Sequence, residues 1–205
     1  MVNPNIISNE VTNFVIKHAP EYKDNKEYIR YGLEWIISLT IQISVILILS
    51  ALFGVFIEAT VSLFTGAFLR TFGGGAHFKS YLKCVVYSTI LILILSIATK
   101  HFLALNMIAV LIIYLISMFI YNKKAPVLHK TRALFNNNKK MLFKHISLFF
   151  ITTLFILTIL SPIGKSSIIS SIWLSVLFQS ISLTKWHHDM TDWLDKKTTR
   201  KVDYL

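Results

Sequence analysis

The longest uncharged stretch of this chain decides what kind of fold it can adopt. From Ile36 to Ile57 there are 22 residues without a formal charge, and about 20 residues of helix are enough to cross a hydrocarbon core. Similar runs follow at about Cys84–Thr99, Phe102–Tyr121, Ile146–Ile163 and Ser166–Thr184. The chain is 54% hydrophobic and only 15% charged, more apolar than one soluble core of this size requires. We therefore predict an all-α fold, a polytopic membrane helical bundle.

A further apolar segment, Ala59–Leu69, has only 11 residues and is too short to span a membrane alone. It either joins the glycines that follow it as a broken segment or lies in the membrane interface. The prediction is thus five to six membrane segments in a single domain over residues 1–205.

The first 34 residues carry five acidic and four basic side chains and no continuous apolar core, so we expect no cleavable signal peptide. Apolar residues between Ile6 and Ile16 favour a short amphipathic helix on the membrane surface. The alternative is an ordinary polar lead-in to the first span. Either way, residues 1–34 are predicted to be cytoplasmic or interfacial.

Basic residues predict the topology. Residues 122–144 contain seven cations and no acid, and residues 185–205 add five more cations. Positive segments of this kind stay in the cytoplasm, and counting spans places Arg70–Lys83 on the same side. The net charge of +11 is therefore explained by topology and does not predict nucleic-acid binding.

The candidate site follows the glycines Gly73 to Gly75, where His77 precedes Cys84 by seven residues. A thiol and an imidazole are the minimum equipment for nucleophilic acyl transfer. Cys84 is the only cysteine, which excludes an internal disulfide and a multi-cysteine metal cluster. The alternative reading of Cys84 is a small buried hydrophobe on a membrane helix.

A straight helix would defeat this pair. Seven residues of helix separate Cα atoms by about 10.5 Å, whereas proton transfer needs heavy atoms within about 3 Å. A catalytic pair therefore predicts that the helix starts after His77, with Cys84 near its amino end, where the helix dipole favours an anion.

Two other charged residues are candidates for the same site. Glu34, which begins a polar stripe with Ser38 and Gln42, either orients the imidazole or marks the water end of the first span. Arg70 either stabilises an oxyanion or a substrate carboxylate, or anchors its helix at phosphate headgroups.

These motifs resemble the accessory gene regulator B family of membrane cysteine endopeptidases in Gram-positive quorum sensing. The resemblance rests on Arg70, Gly74, Gly75, His77 and Cys84 in that order. Arg30, Gly32 and Glu34 before the first span are also similar to the family, as is Ala125-Pro126-Val127.

The resemblance implies a function in the bacterial cell membrane. Such enzymes cut the acidic tail from an AgrD-like propeptide on the cytoplasmic side and close the remainder into a thiolactone or lactone through an acyl-enzyme thioester. By this likeness Cys84 is the nucleophile, His77 the general base and then acid, and Glu34 the orienting residue. The substrate-binding residues would be Arg70, Gly74, Gly75, Lys123, Lys124, Lys130 and Arg132. The basic loop is equally well explained as a topology determinant that binds anionic lipid.

The competing interpretation is a small peptide transporter whose polar stripes line a pathway. No cofactor is predicted, and His187-His188-Asp189 does not predict a metal site because adjacent histidines on a helix point about 100° apart. The expected partners are the propeptide and the lipid bilayer, and a bundle of this size can also pair as a homodimer.

Overall fold

The computed structural model describes residues 4–76, 78, 81–127, 136–161 and 166–202. These residues form eight α-helices and one short 3-10 helix, Pro20–Asn25, and no β-strand is found among them. The all-α prediction is confirmed. The helices are α1 Pro4–His18, α2 Lys26–Leu52, α3 Phe56–Gly73, α4 Tyr81–His101, α5 Met107–Lys124, α6 Asn137–Leu160, α7 Ser167–Ser182 and α8 Lys185–Val202.

The chain divides into two compact units, Met1–Ile48 and Leu49–Leu205. The first unit contains α1, the 3-10 helix and most of α2. The predicted amino-terminal helix is present as α1, and it leaves Ile6 and Phe14 exposed. An exposed apolar face on a surface helix is what contact with a membrane interface requires.

Four helices among the described residues are long and apolar enough to cross a membrane: α2, α4, α5 and α6. α7 and the first part of α8 are separated by a bend of 78°. If this bent pair counts as one broken span, the described residues contain five. Large apolar side chains such as Ile48, Ile94 and Phe119 are exposed on these helices. An apolar exterior of this kind is suited to lipid, and the chain is a multi-pass helical membrane protein.

The short segment predicted at Ala59–Leu69 is part of a longer helix. α3 has 18 residues because Glu58 and Arg70, which interrupt the apolar run in the sequence, both continue the helix. Glu58 is buried and accepts a hydrogen bond from Ser167 Oγ at 2.9 Å. Within the second unit, α3 packs chiefly against α7.

The contact between α3 and α7 is close because both helices present small polar side chains. Ser62 Oγ donates to the Ser171 carbonyl at 3.2 Å, and Ser175 Oγ donates to the Ser62 carbonyl at 2.8 Å. A Cβ atom on Gly66 would lie 3.1 Å from Ser175 Oγ. Small residues of this type let membrane helices approach closely and bond across the interface.

Aromatic side chains fill the space between α5, α6 and α7. Trp173 is fully buried and donates from Nε1 to Thr158 Oγ1 at 3.1 Å. Tyr114 and Phe155 stack with ring centroids 4.2 Å apart, and both meet the Trp173 ring edge to face. This packing fixes α7 as the central helix against which α3 and α5 are placed.

Candidate active site

The chain leaves α3 through glycines in conformations that L-side chains rarely adopt. Gly74 has φ 77° and ψ −148°, and Gly75 has φ 137°. A Cβ atom on Gly74 would overlap the Val127 carbonyl, and one on Gly75 would lie 2.7 Å from Ser182 Oγ. Two adjacent positive φ angles turn the chain sharply while its backbone passes close to two neighbouring segments.

Residues 73–76 are called the glycine connection here, and four hydrogen bonds tie them to the rest of the bundle. The Val127 N–H donates to the Gly73 carbonyl at 2.9 Å, and Gln179 Nε2 donates to the Gly74 carbonyl at 2.7 Å. The other two join the Ala76 N–H to the Ser182 carbonyl at 3.1 Å, and the Arg70 guanidinium to the Ala76 carbonyl at 2.6 Å. The connection is thus held by α3, by the segment after α5 and by α7.

Cys84 lies in the first turn of the next helix. α4 begins at Tyr81, four residues after His77, so the prediction that this helix starts beyond His77 is confirmed. His77 itself lies outside the described residues. Cys84 is a free cysteine and is partly exposed, and its carbonyl accepts a hydrogen bond from Ser88 Oγ at 2.8 Å.

Arg70 is the charged centre of this region. Its guanidinium is within electrostatic range of Cys84, Tyr87 and Tyr121, as well as bonding the Ala76 carbonyl. Burial of a thiol opposes formation of the thiolate, the nucleophilic form, while a nearby cation favours it. The structure therefore brings together Arg70, Cys84 and the glycine connection.

The structure adds polar residues whose place at the site is not evident from the sequence. Tyr87 OH is hydrogen-bonded to His187 Nε2 at 3.1 Å, and Lys83 Nζ pairs with Asp195 Oδ1 at 3.1 Å. Gln179 and Ser182 hold the glycine connection from α7. In the sequence, Gln179 stands out as an amide side chain within an apolar run. On α8, polar residues that repeat every four positions could have indicated a face that contacts the site.

Comparison with known proteins identifies the family of this chain. The family model described as AgrB, accessory gene regulator B, matches residues 8–183. The chain belongs to the accessory gene regulator B family. Residues 8–183 contain the whole glycine connection, Cys84 and Gln179, whereas α8 follows the matched region.

Two relatives from Clostridium perfringens illustrate this AgrB membership. The chain is 33% identical over 175 residues to "Putative AgrB-like protein" of strain SM101 / Type A, covering 78% of this chain and 82% of the relative. It is 31% identical over 165 residues to "Putative AgrB-like protein 2" of strain 13 / Type A, covering 76% and 77% respectively. No solved structure matches this chain.

The other residues that the AgrB resemblance implies for the site are Glu34 and four cations of the basic loop. Glu34, in the first unit, accepts hydrogen bonds from Arg30 at 3.1 Å and from Asn5 at 3.2 Å. Lys123 lies over the Phe119 ring at 4.4 Å, and Lys124 is exposed. Lys130 and Arg132 lie outside the described residues.

Proposed function

We propose that this AgrB-family protein is a membrane-embedded cysteine endopeptidase that processes and cyclises an AgrD-like propeptide in quorum sensing. The observation that carries the proposal is the position of Cys84. The only cysteine of the chain lies in the first turn of α4, immediately beyond a tethered glycine connection and within range of Arg70. Its family membership and its membrane helices support the same function.

In the first step the Cys84 thiolate attacks the carbonyl carbon of the scissile peptide bond. The C–N bond breaks, the new C–S bond makes a thioester, and His77 gives the leaving amine the proton that it took from the thiol. Arg70 is suited to stabilising the oxyanion that forms in between. Glu34 is proposed to orient the imidazole of His77.

In the second step a thiol or hydroxyl of the bound peptide attacks the thioester. The C–S bond to Cys84 breaks, the peptide closes as a thiolactone or lactone, and Cys84 regains its proton. The thioester survives only where water is kept out and the peptide nucleophile is held nearby. A site at the end of a membrane bundle supports both conditions.

Substrate binding is assigned to the same end of the bundle. Gly74 and Gly75 are proposed to contact the peptide next to Cys84, while the cations Lys123, Lys124, Lys130 and Arg132 attract an acidic tail. We place this end in the cytoplasm because the basic segments of the chain flank it.

The test is to co-express the protein with its candidate propeptide and to measure both by intact mass. We expect wild type to give a truncated or cyclic peptide and an acyl adduct on the protein. Cys84→Ala and His77→Ala should abolish both products, because one removes the nucleophile and the other the proton acceptor.

Ser88→Ala is the matched control, since Ser88 lies on the same helix one turn beyond Cys84 and its hydroxyl donates to the backbone carbonyls of Cys84 and Val85. Processing by this control should continue. If Cys84→Ala is inserted in the membrane and still processes the propeptide, the endopeptidase proposal is wrong.

A further inference from the structure

The carboxy-terminal helix α8 turns a polar face toward the protein. His187, Thr191 and Asp195 repeat every four residues and are 3%, 2% and 4% exposed, whereas Trp186 and Trp193 are exposed. Buried histidine and aspartate side chains are costly unless they are paired. We therefore expect the polar side chains on the inward face of α8 to have specific partners.

Those contacts fall on both sides of Cys84. Asp195 Oδ1 and its carbonyl oxygen accept from Lys83 Nζ at 3.1 and 3.3 Å. His187 Nε2 is hydrogen-bonded to Tyr87 OH at 3.1 Å. Lys83 immediately precedes Cys84 and Tyr87 lies about one helical turn after it, so α8 holds the turn of α4 that carries the thiol.

His187 also belongs to the electrostatic surroundings of Cys84. The Arg70 charge acts on His187 as it does on Cys84 and Tyr87. The rings of Tyr87 and Phe178 lie 6.1 and 5.5 Å from the imidazole. Its Nδ1 atom is buried and has no hydrogen-bond partner among the described residues. A buried polar atom without a hydrogen-bond partner is uncommon in a side chain whose only role is packing.

We propose that α8 completes the Cys84 site, with His187 acting through Tyr87, and Asp195 through Lys83, as positioning residues for the nucleophile. This inference deepens the proposed function and rests on it for its catalytic meaning. It assigns a role to a helix that follows the region shared with the AgrB family.

The first test uses the thiol itself and needs no substrate. Because Cys84 is the only cysteine, one alkylation by iodoacetamide adds one mass increment to the intact protein. We expect His187→Ala, Tyr87→Phe and Asp195→Asn to change the alkylation rate by about threefold or more, since contacting residues couple by that order.

The matched control is Asp192→Asn, which makes the same chemical change on the exposed side of α8. Its alkylation rate should equal that of wild type. If His187→Ala, Tyr87→Phe and Asp195→Asn also alkylate at the wild-type rate, the inference is overturned.

The second test separates positioning from a general loss of structure. In propeptide processing we expect His187→Ala to lower kcat about tenfold with little change in KM, the scale expected when a buried hydrogen bond is broken. His187→Gln should recover part of the loss because its amide can still bond the Tyr87 hydroxyl. If His187 acts through Tyr87, the double variant of His187→Ala and Tyr87→Phe should process the propeptide no more slowly than the slower of the two single variants.

The two proposals fail in different ways. A wild-type protein that does not process the propeptide contradicts the proposed function, while the alkylation rates still test α8. Normal processing by His187→Ala and Asp195→Asn in an enzyme that depends on Cys84 contradicts the role of α8 alone. Additive losses in the double variant, without rescue by His187→Gln, would also overturn it.

Discussion

Single residues set the geometry of the candidate site through their backbone as much as through their side chains. Gly74 reverses the chain after α3 at φ 77°, with its α-carbon against the Val127 carbonyl. Arg70 uses a single guanidinium to bond the Ala76 carbonyl and to act on Cys84. A change at either residue should therefore affect both the local fold and the chemistry.

The substitution Gly74→Ala tests the backbone requirement. A positive φ at a non-glycine residue costs on the order of 1–3 kcal/mol, and the added Cβ would also overlap the Val127 carbonyl. We expect at least about a tenfold fall in propeptide processing, together with a lower thermal midpoint in detergent. Intact mass and a melting curve measure the two effects.

Gly32→Ala is the control for this prediction. Gly32 lies within α2, and a Cβ atom there would meet nothing within 4 Å. Alanine is the better helix former by about 1 kcal/mol, so this variant should be as stable as wild type or more stable. Equal behaviour of the two variants would show that the turn at Gly74 does not require glycine.

At the scale of helices, α7 organises the second unit through its small polar face. Ser171 Oγ lies 2.6 Å from Thr99 Oγ1 on α4, and the Ser171 carbonyl accepts from Ser62 on α3. Ser170 Oγ accepts from the Leu105 N–H in the loop before α5. These contacts hold α3 and α4 close to α7, which places the glycine connection next to Gln179 and Ser182.

A pair of substitutions at Ser175 separates helix approach from hydrogen bonding. Ser175→Leu should force α3 away, because Gly66 leaves no room for a larger side chain there. We expect a destabilisation of about 1–3 kcal/mol, on the order of the cost of overpacking a core. Ser175→Ala removes only the bond to the Ser62 carbonyl and should cost about 0.6 kcal/mol.

Unfolding of both Ser175 variants in mixed detergent micelles provides the comparison. A Ser175→Leu protein as stable as Ser175→Ala would contradict the close packing of α3 against α7. Propeptide processing should fall in parallel with the stability of Ser175→Leu, since the same contact positions the site.

At the scale of the whole molecule, cations at the end of α5 and at the start of α8 lie within a few residues of Val127 and Ser182, which bond the glycine connection. The residue after α5 that bonds the glycine connection is Val127, and Lys123 and Lys124 close α5 just before it. α8 begins at Lys185, three residues after Ser182, whose carbonyl bonds the same connection. The opposite end of α4 leads to Phe102, which is exposed.

Single-cysteine labelling in intact cells tests which end faces the cytoplasm. In a Cys84→Ala background, we expect a membrane-impermeant maleimide to label Phe102→Cys directly. Asn122→Cys, at the end that carries the cations, should react only after the cells are permeabilised. Labelling in the reverse order would contradict the cytoplasmic placement of the site, and the Cys84→Ala protein alone is the unlabelled control.

The sequence by itself determined the class of fold and the main chemical candidate. Apolar runs and clustered cations are local properties of a chain. The length of an apolar run predicts whether a helix can cross a bilayer, and clustered cations predict which side of the bilayer a segment faces. The distance between His77 and Cys84 along a helix likewise predicted a helix that starts after His77. α4 begins at Tyr81, in agreement with that prediction.

Only the tertiary structure decided how the site is held together. Gln179 bonds Gly74 across 105 positions, His187 bonds Tyr87 across 100, and Asp195 pairs with Lys83 across 112. Local periodicity constrains residues about three or four positions apart and carries no information about such pairs. On α8, moreover, a polar stripe buried against the protein has the same sequence pattern as one exposed to water, so only the packing of α4 against α8 tells them apart.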